Sequence, residues 1–251
     1  MNDNSGDARN RALESIRSNI EKHGHHVYLV VGGETPNFLY TIGLRESLEF
    51  ELVWTGAAYF SHDDALYVVN QIAKKLKSGL HWKDGPFDID SEAEYTLRAV
   101  HPSWPDELWL GALDYYDVDS IPVLQIVPEE KYRTLDIPDM SQEWNPESEP
   151  VWRWLTEEWN YPVPKKSIAV TNLDALRGKP VTEVVRWEEE EWEMFAGAGP
   201  DVDEEDARWV PLGTLIGIDQ TLYPAANLGI GKGIWRDDEE MKWHRWESST
   251  D

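Results

Sequence analysis

Apolar residues in this sequence come in short runs, and each run is closed by glycine, proline or a cluster of acids. None approaches the roughly 18 consecutive apolar residues that a membrane-spanning helix needs. A short run bounded by turn formers reads as a strand. Apolar residues three and four apart read as the buried stripe of a helix. The two patterns alternate along the whole chain, with no internal repeat. This predicts an α+β fold: two α+β domains, each a small, mostly antiparallel sheet with packed helices. A chain of 251 residues is long for one domain and comfortable for two.

The first domain is expected over residues 8–135. Leu13, Ile16 and Ile20 are helically spaced, and Gly24 stops that helix. Residues 25–31 and 37–44 make a hairpin, and 51–56 a third strand. Ser61 caps a helix through Leu66, Val69, Ile72 and Leu76 to Gly79, with Asp63 and Asp64 at its start and three lysines at its end. Residues 93–100 and 121–128 are strands, and 104–116 are helical. Residues 136–165 form an acidic connection rich in Pro and Trp, in which 151–160 has the pattern of a short amphipathic helix. The second domain spans 166–237. Its strands fall at 167–171, 181–187, 192–197 and 231–236, with a capped helical turn at 171–176 and a short helix near 213–218. A charged tail, 238–251, follows.

Charge constrains the partners. The chain holds 48 acids and 23 Lys plus Arg, a net charge of −25. Both halves are acidic, so this is no acidic tail on a neutral body. Nucleic acids and anionic membranes are repelled by such a field and basic proteins are attracted. Solubility is the plainer explanation, and both remain open. Cysteine is absent, which removes disulfides, thiolate metal sites and Cys nucleophiles. The first residues, Met1 to Asp7, lack the basic start and apolar segment of a secretory leader, so a cytoplasmic location is expected.

Motifs for catalysis are weak. His23, His25 and His26 form one cluster, but 25 and 26 point to opposite faces of a strand, and a metal site would need His62, His81 or His101 beside them. No Gly-x-Ser-x-Gly occurs, and Gly229 to Gly233 lacks the spacing of a phosphate loop, reading instead as a turn into the last strand. No cofactor, metal ligand or catalytic residue is assigned. Trp192, Trp209 and Trp235 sit among apolar strand residues and read as core. Trp144, Trp152, Trp154 and Trp159 lie at the domain connection, where they pack the domains together or present Trp152 and Trp159 to a partner. The acidic runs Glu188, Glu189, Glu190, Glu191 and Asp201, Asp203, Glu204, Glu205, Asp206 fall in a turn and a loop. If the partner is basic, these are its docking points.

Two stretches resemble known families. Residues 10–135 resemble the uncharacterised bacterial family of domains of unknown function numbered 4262. The likeness rests on Gly24-His25-His26-Val27, on Pro36-Asn37-Phe38-Leu39-Tyr40-Thr41-Ile42-Gly43-Leu44, on Glu51-Leu52-Val53, on the helix bearing Asn70, and on Val123 to Pro128. It implies a compact α+β fold and no known activity. Residues 166–237 resemble the domain of unknown function numbered 2185, grouped with immunity protein family 33. That likeness rests on Ala169-Val170-Thr171, Gly178-Lys179-Pro180-Val181, Val184-Val185-Arg186, Trp192 to Gly197, Val210 to Thr214 and Gly231 to Arg236. Where that family usually has Asp-Ser-Gly before the Trp-bearing strand, this chain has Glu189-Glu190-Glu191. The resemblance implies a protein that binds and neutralises a cytoplasm-acting bacterial toxin, a basic one such as a nuclease, by occluding it. The alternatives are a small-ligand-binding or hydrolytic enzyme, with a cleft near His26, Tyr40 and Thr41, and a regulatory protein-binding module.

Overall fold

The computed structural model describes residues 4–56, 58–91, 93–237 and 239–246. Two six-stranded sheets organise the chain. The first holds α1 (Asn4–His23), β1 (His26–Val30), β2 (Phe38–Ile42), α2 (Arg45–Leu48), β3 (Glu51–Thr55), α3 (His62–Lys77), β4 (Phe87–Ile89), β5 (Ala93–Ala99), α4 (Leu110–Tyr116) and β6 (Val123–Pro128). The second holds β7 (Ile168–Asn172), α5 (Leu173–Leu176), β8 (Glu183–Arg186), β9 (Glu191–Phe195), β10 (Ala207–Pro211), α6 (Leu212–Ile218), β11 (Lys232–Trp235) and β12 (His244–Arg245). Strand orders are β1-β2-β3-β6-β5-β4 and β10-β7-β9-β8-β11-β12. Each sheet has a single parallel pair, β3 with β6 and β7 with β9, and is otherwise antiparallel. The expected α+β architecture with two mostly antiparallel sheets is what forms.

Local chemistry accounts for the elements. The Ser61 hydroxyl accepts from the Asp64 amide, and α3 then buries Val68, Val69, Ile72, Ala73 and Leu76 along one stripe. Asn172 caps α5 by accepting from the Ala175 amide. The stretch from Thr41 to Arg45 is held by one buried carboxylate. Glu51 accepts from the Thr41 hydroxyl at 2.6 Å, from the Gly43 amide at 2.9 Å and the Arg45 amide at 3.0 Å, and from the Tyr116 hydroxyl. A buried carboxylate with four donors is well satisfied, which gives Thr41 and Gly43 a structural role.

The connection is packed inward. Met140, Val151 and Trp152 lie in the core on one face of the first sheet, with Phe38, Tyr40 and Trp104. Trp154 belongs to the core of the second domain. Gly217 of α6 lies so close to this segment that a β-carbon would sit 2.6 Å from the Val151 Cα. The domains are also tied by the Leu135 amide donating to the Leu176 carbonyl and by the Arg208 guanidinium donating to the Tyr59 carbonyl.

Three expectations need correction. Residues 151–160 form only one 3-10 turn, Arg153–Leu155, because Val151, Trp152 and Trp154 are committed to two different cores rather than to one helical stripe. Trp209 and Trp235 are not core: they are 66% and 42% exposed, because their neighbours Val210 and Ile234 take the inward positions. Part of the 238–251 tail is a strand, β12, paired with β11. Asp238 and residues 247–251 lie outside the described residues.

Candidate functional site

The second sheet packs one face against helices, while on the other Val185 and Phe195 are buried, Val170 and Glu193 are half-buried and tryptophans stand exposed around them. Inward go Val210, Ala169, Trp192, Met194, Val184 and Ile234, against α5 and α6. Side chains alternate along a strand, so the intervening residues share the other face. The register runs across it as Trp209 opposite Val170, Val170 opposite Glu193, Glu193 opposite Val185, and Val185 opposite Gly233. Trp246 completes this row: its amide donates to the Gly233 carbonyl, and its indole occupies the space where a side chain at 233 would stand.

Flanking rows add to the face. Trp235 lies opposite Glu183 on one side and stacks on the His244 ring at 4.8 Å on the other. Trp187, whose amide donates to the Glu191 carbonyl, sits at the opposite end of the sheet. Four tryptophans, at 187, 209, 235 and 246, are thus 42–66% exposed on one sheet, interleaved with Glu183, Glu191 and Glu193. Trp is uncommon in such open positions and common at the centre of protein interfaces.

The acidic runs border this face at opposite ends. Glu188, Glu189 and Glu190 form the turn between β8 and β9, and Glu191 is the first residue of β9. Asp201, Glu204, Glu205 and Asp206 lie in two 3-10 turns between β9 and β10, with Asp203 just before the second, after the far end of β9. At roughly 3.3 Å per residue, a five-residue strand keeps the runs about 16 Å apart. They do not form one cluster. The first run is braced: Arg186 donates to the Glu188 and Glu189 carbonyls, and Glu190 pairs with Lys166 at 2.9 Å. Among the described residues no ion pair engages the 201–206 acids.

Trp152 and Trp159 do not join this face. Trp152 is 1% exposed and its indole N–H donates to the Asp136 carbonyl, so it cannot contact a partner. Trp159 is half-buried against Trp154 and Tyr161, and donates to the Val163 carbonyl at 2.6 Å. The connection uses its tryptophans to pack the domains. Sequence reasoning missed Trp187 and Trp246, and the alternation Trp192-Glu193-Met194 was the signal that one face of β9 is open.

In the first domain Tyr40 and Thr41 are buried in different surroundings, Tyr40 in a core and Thr41 on Glu51, so no cleft gathers them with His26. His25 and His26 instead border an open cleft with α3. His25 hydrogen-bonds Asn70 at 2.9 Å and His26 hydrogen-bonds Asn19 at 2.9 Å. Burial lowers the pKa of both imidazoles, with Lys77 adding to the effect on His25 and His25 adding to that on His26. Among the described residues no group of three or more His, Asp or Glu could hold a metal ion. No helix among them is long and apolar enough to cross a membrane. Gly229 to Gly231 form a turn that leads into β11.

Residues 19–133 match the family described as Domain of unknown function (DUF4262), so the first sheet with α2, α3, α4 and the end of α1 is similar to that family. The match does not reach residues 166–237. No curated protein and no solved structure matches the chain.

Proposed function

We propose that this chain is an immunity-type protein that binds a basic, cytoplasm-acting toxin and neutralises it by occlusion, with the open face of the second sheet as the contact surface. The observation that carries the surface is the row Trp209, Val170, Glu193, Val185 and Gly233 under Trp246, exposed at both edges and bordered by acids at both ends. The motif likeness of residues 166–237 supports the toxin-neutralising class. Trp side chains supply large rigid contacts that set residence time, while the acids steer a basic partner and raise the association rate.

The test is co-expression with the product of the adjacent upstream gene. Growth should be rescued by the wild-type chain and lost with Trp209→Ala combined with Trp246→Ala. In binding kinetics, those changes should speed dissociation by about tenfold or more. Charge reversal at Glu188, Glu189, Asp201 and Glu204 should slow association in low salt and matter little in high salt. Absence of rescue by the wild-type chain would sink the reading. Unchanged kinetics in the Trp variants would remove this face from it.

A further inference from the structure

The first domain holds a hollow of about 310 Å³ at the start of α3, on the face of the first sheet that α3 covers. Its walls are aromatic and come from four parts of the chain. Tyr59 and Phe60 precede α3, Tyr67 lies in its second turn, Tyr95 is on β5 and Tyr132 follows β6. Val68, Ile89 and Ala93 make the floor, and with Tyr95, Phe60 and Tyr132 they belong to the core beneath α3. Tyr59 joins this group through its ring contacts, 5.2 Å from Phe60 and 5.1 Å from Tyr132. Phe60 and Tyr132 are 5.7 Å apart, and the three rings are inclined to one another by 53–70°. Edge-to-face packing explains those contacts without any ligand. It does not explain the space beside them or the acids at its rim.

Two carboxylates line the hollow, Asp64 and Asp90. Asp64 accepts from the Ser61 hydroxyl at 2.6 Å, and the dipole of α3 accounts for an acid in its first turn. Asp90 lies in the turn after β4, where no helix dipole acts, and accepts from the Tyr67 hydroxyl. Among the described residues no Lys, Arg or His lines the hollow, and no ion pair engages either acid. The rings draw cations where the chain supplies them. Lys131 lies 4.7 Å from the centre of the Tyr132 ring and Arg177 lies 5.6 Å from that of Tyr59, yet neither lines the hollow. Ring faces are electron-rich, so rings set at angles with carboxylates at the rim suit a positive charge. Both acids already take a hydroxyl hydrogen bond and the floor is apolar. A cation that needs few hydrogen bonds, an alkylated ammonium, therefore suits the hollow better than a strongly hydrated one.

We propose that this hollow binds a small quaternary ammonium compound, its trimethylammonium group within the aromatic walls and its charge facing Asp64 and Asp90. The site belongs to the first domain and does not rest on the toxin-binding reading. The overall charge of −25 favours the approach of such a cation.

Isothermal titration of the full chain with choline and with its uncharged isostere, in which carbon replaces the nitrogen, tests the site. Choline should bind, and the isostere should bind at least about tenfold more weakly. Tyr67 is 48% exposed, so Tyr67→Leu should fold, and it should weaken choline about tenfold while Tyr67→Phe retains most of the affinity. Asn tolerates the left-handed backbone at 90, where φ is 53°, and Asp90→Asn should weaken choline about fivefold. Asp84→Asn, outside the hollow, should change nothing. A trimethyl-lysine peptide that binds more tightly than choline, with the same Tyr67 dependence, supports the aromatic site and identifies a protein side chain as the source of the ammonium group. No binding of choline or the peptide at millimolar concentration, equal affinity for choline and its isostere, or an unchanged choline affinity in folded Tyr67→Leu or Asp90→Asn protein would overturn the proposal.

Discussion

Asp219→Ala should cost the second domain far more than an ordinary surface change. Arg236 is almost fully buried, with its side chain 1% exposed, and Asp219 pairs with it at 2.7 Å while 12% exposed itself. The guanidinium also donates to the Val181 carbonyl and the Thr221 hydroxyl, both at 2.6 Å, and lies 4.2 Å from the centre of the Trp243 ring. Burial pulls the Arg236 pKa down while Asp219 pulls it up. Removing Asp219 leaves that cation buried with two neutral acceptors. It also strips an acceptor from the Val181 and Thr221 amides. Breaking a buried pair in this way costs about 3–5 kcal/mol. A domain of this size has roughly 5–15 kcal/mol in all, so the loss is about a fifth of its stability or more. Replacing both partners, as Asp219→Leu with Arg236→Met, should cost much less than the sum of the single changes, because no unpaired charge remains. Urea unfolding of the full chain gives the magnitudes, and hydrogen exchange in β8 and β11 assigns them to the second domain. A cost below about 1 kcal/mol for Asp219→Ala, or strict additivity in the double variant, would refute the reasoning.

Asp136 is buried, and desolvation raises its pKa above the ordinary 3.8, outweighing the hydrogen bonds that lower it. A raised folded pKa means its contribution is fully present below the unfolded value and is lost as pH rises through the folded one. Asp136→Asn should therefore flatten stability against pH above about 4, seen as a smaller fall in Tm between acid and neutral buffers; an unchanged profile would count against it. Gly217→Ala should destabilise by about 1–3 kcal/mol, since its β-carbon would meet backbone at Val151; wild-type stability in urea would contradict the close approach. Gly233→Val should displace Trp246, expose its amide to faster hydrogen exchange and leave β8 protected; retained protection at residue 246 would show that the ring lies elsewhere.

The sheets were largely legible because their strands carry local signals. Ser61, Asn172 and Gly24 act as punctuation at the ends of α3, α5 and α1, and each does so through contacts within a few residues. The candidate face was less legible. Trp209 beside Val210 and Trp235 beside Ile234 look like continuous apolar runs, yet neighbouring side chains on a strand cannot enter the same core. Which of the two faces is covered depends on α5 and α6, which strand composition does not reveal. Trp246 was invisible for a different reason: its place depends on the empty position at Gly233, in direct contact with it but on another segment of the chain. The junction tryptophans were ambiguous because a core and an interface select the same residue type, and only burial separates Trp152 from Trp246.

The inward packing of the connection has a consequence for synthesis of the chain. The family match ends at residue 133, but Met140, Val151 and Trp152 form part of the first core. A nascent chain that has released only the matched segment therefore still lacks a wall over Phe38, Tyr40 and Trp104. Its central parallel pair already joins Glu51 to Val123, a contact that waits for most of the domain to emerge. Until the belt of residues 136–155 follows, that apolar face is open to chaperones or to other nascent chains. The same belt then offers Trp154 and the Val151 backbone to α6, so completing the first domain prepares the seat on which the second one folds.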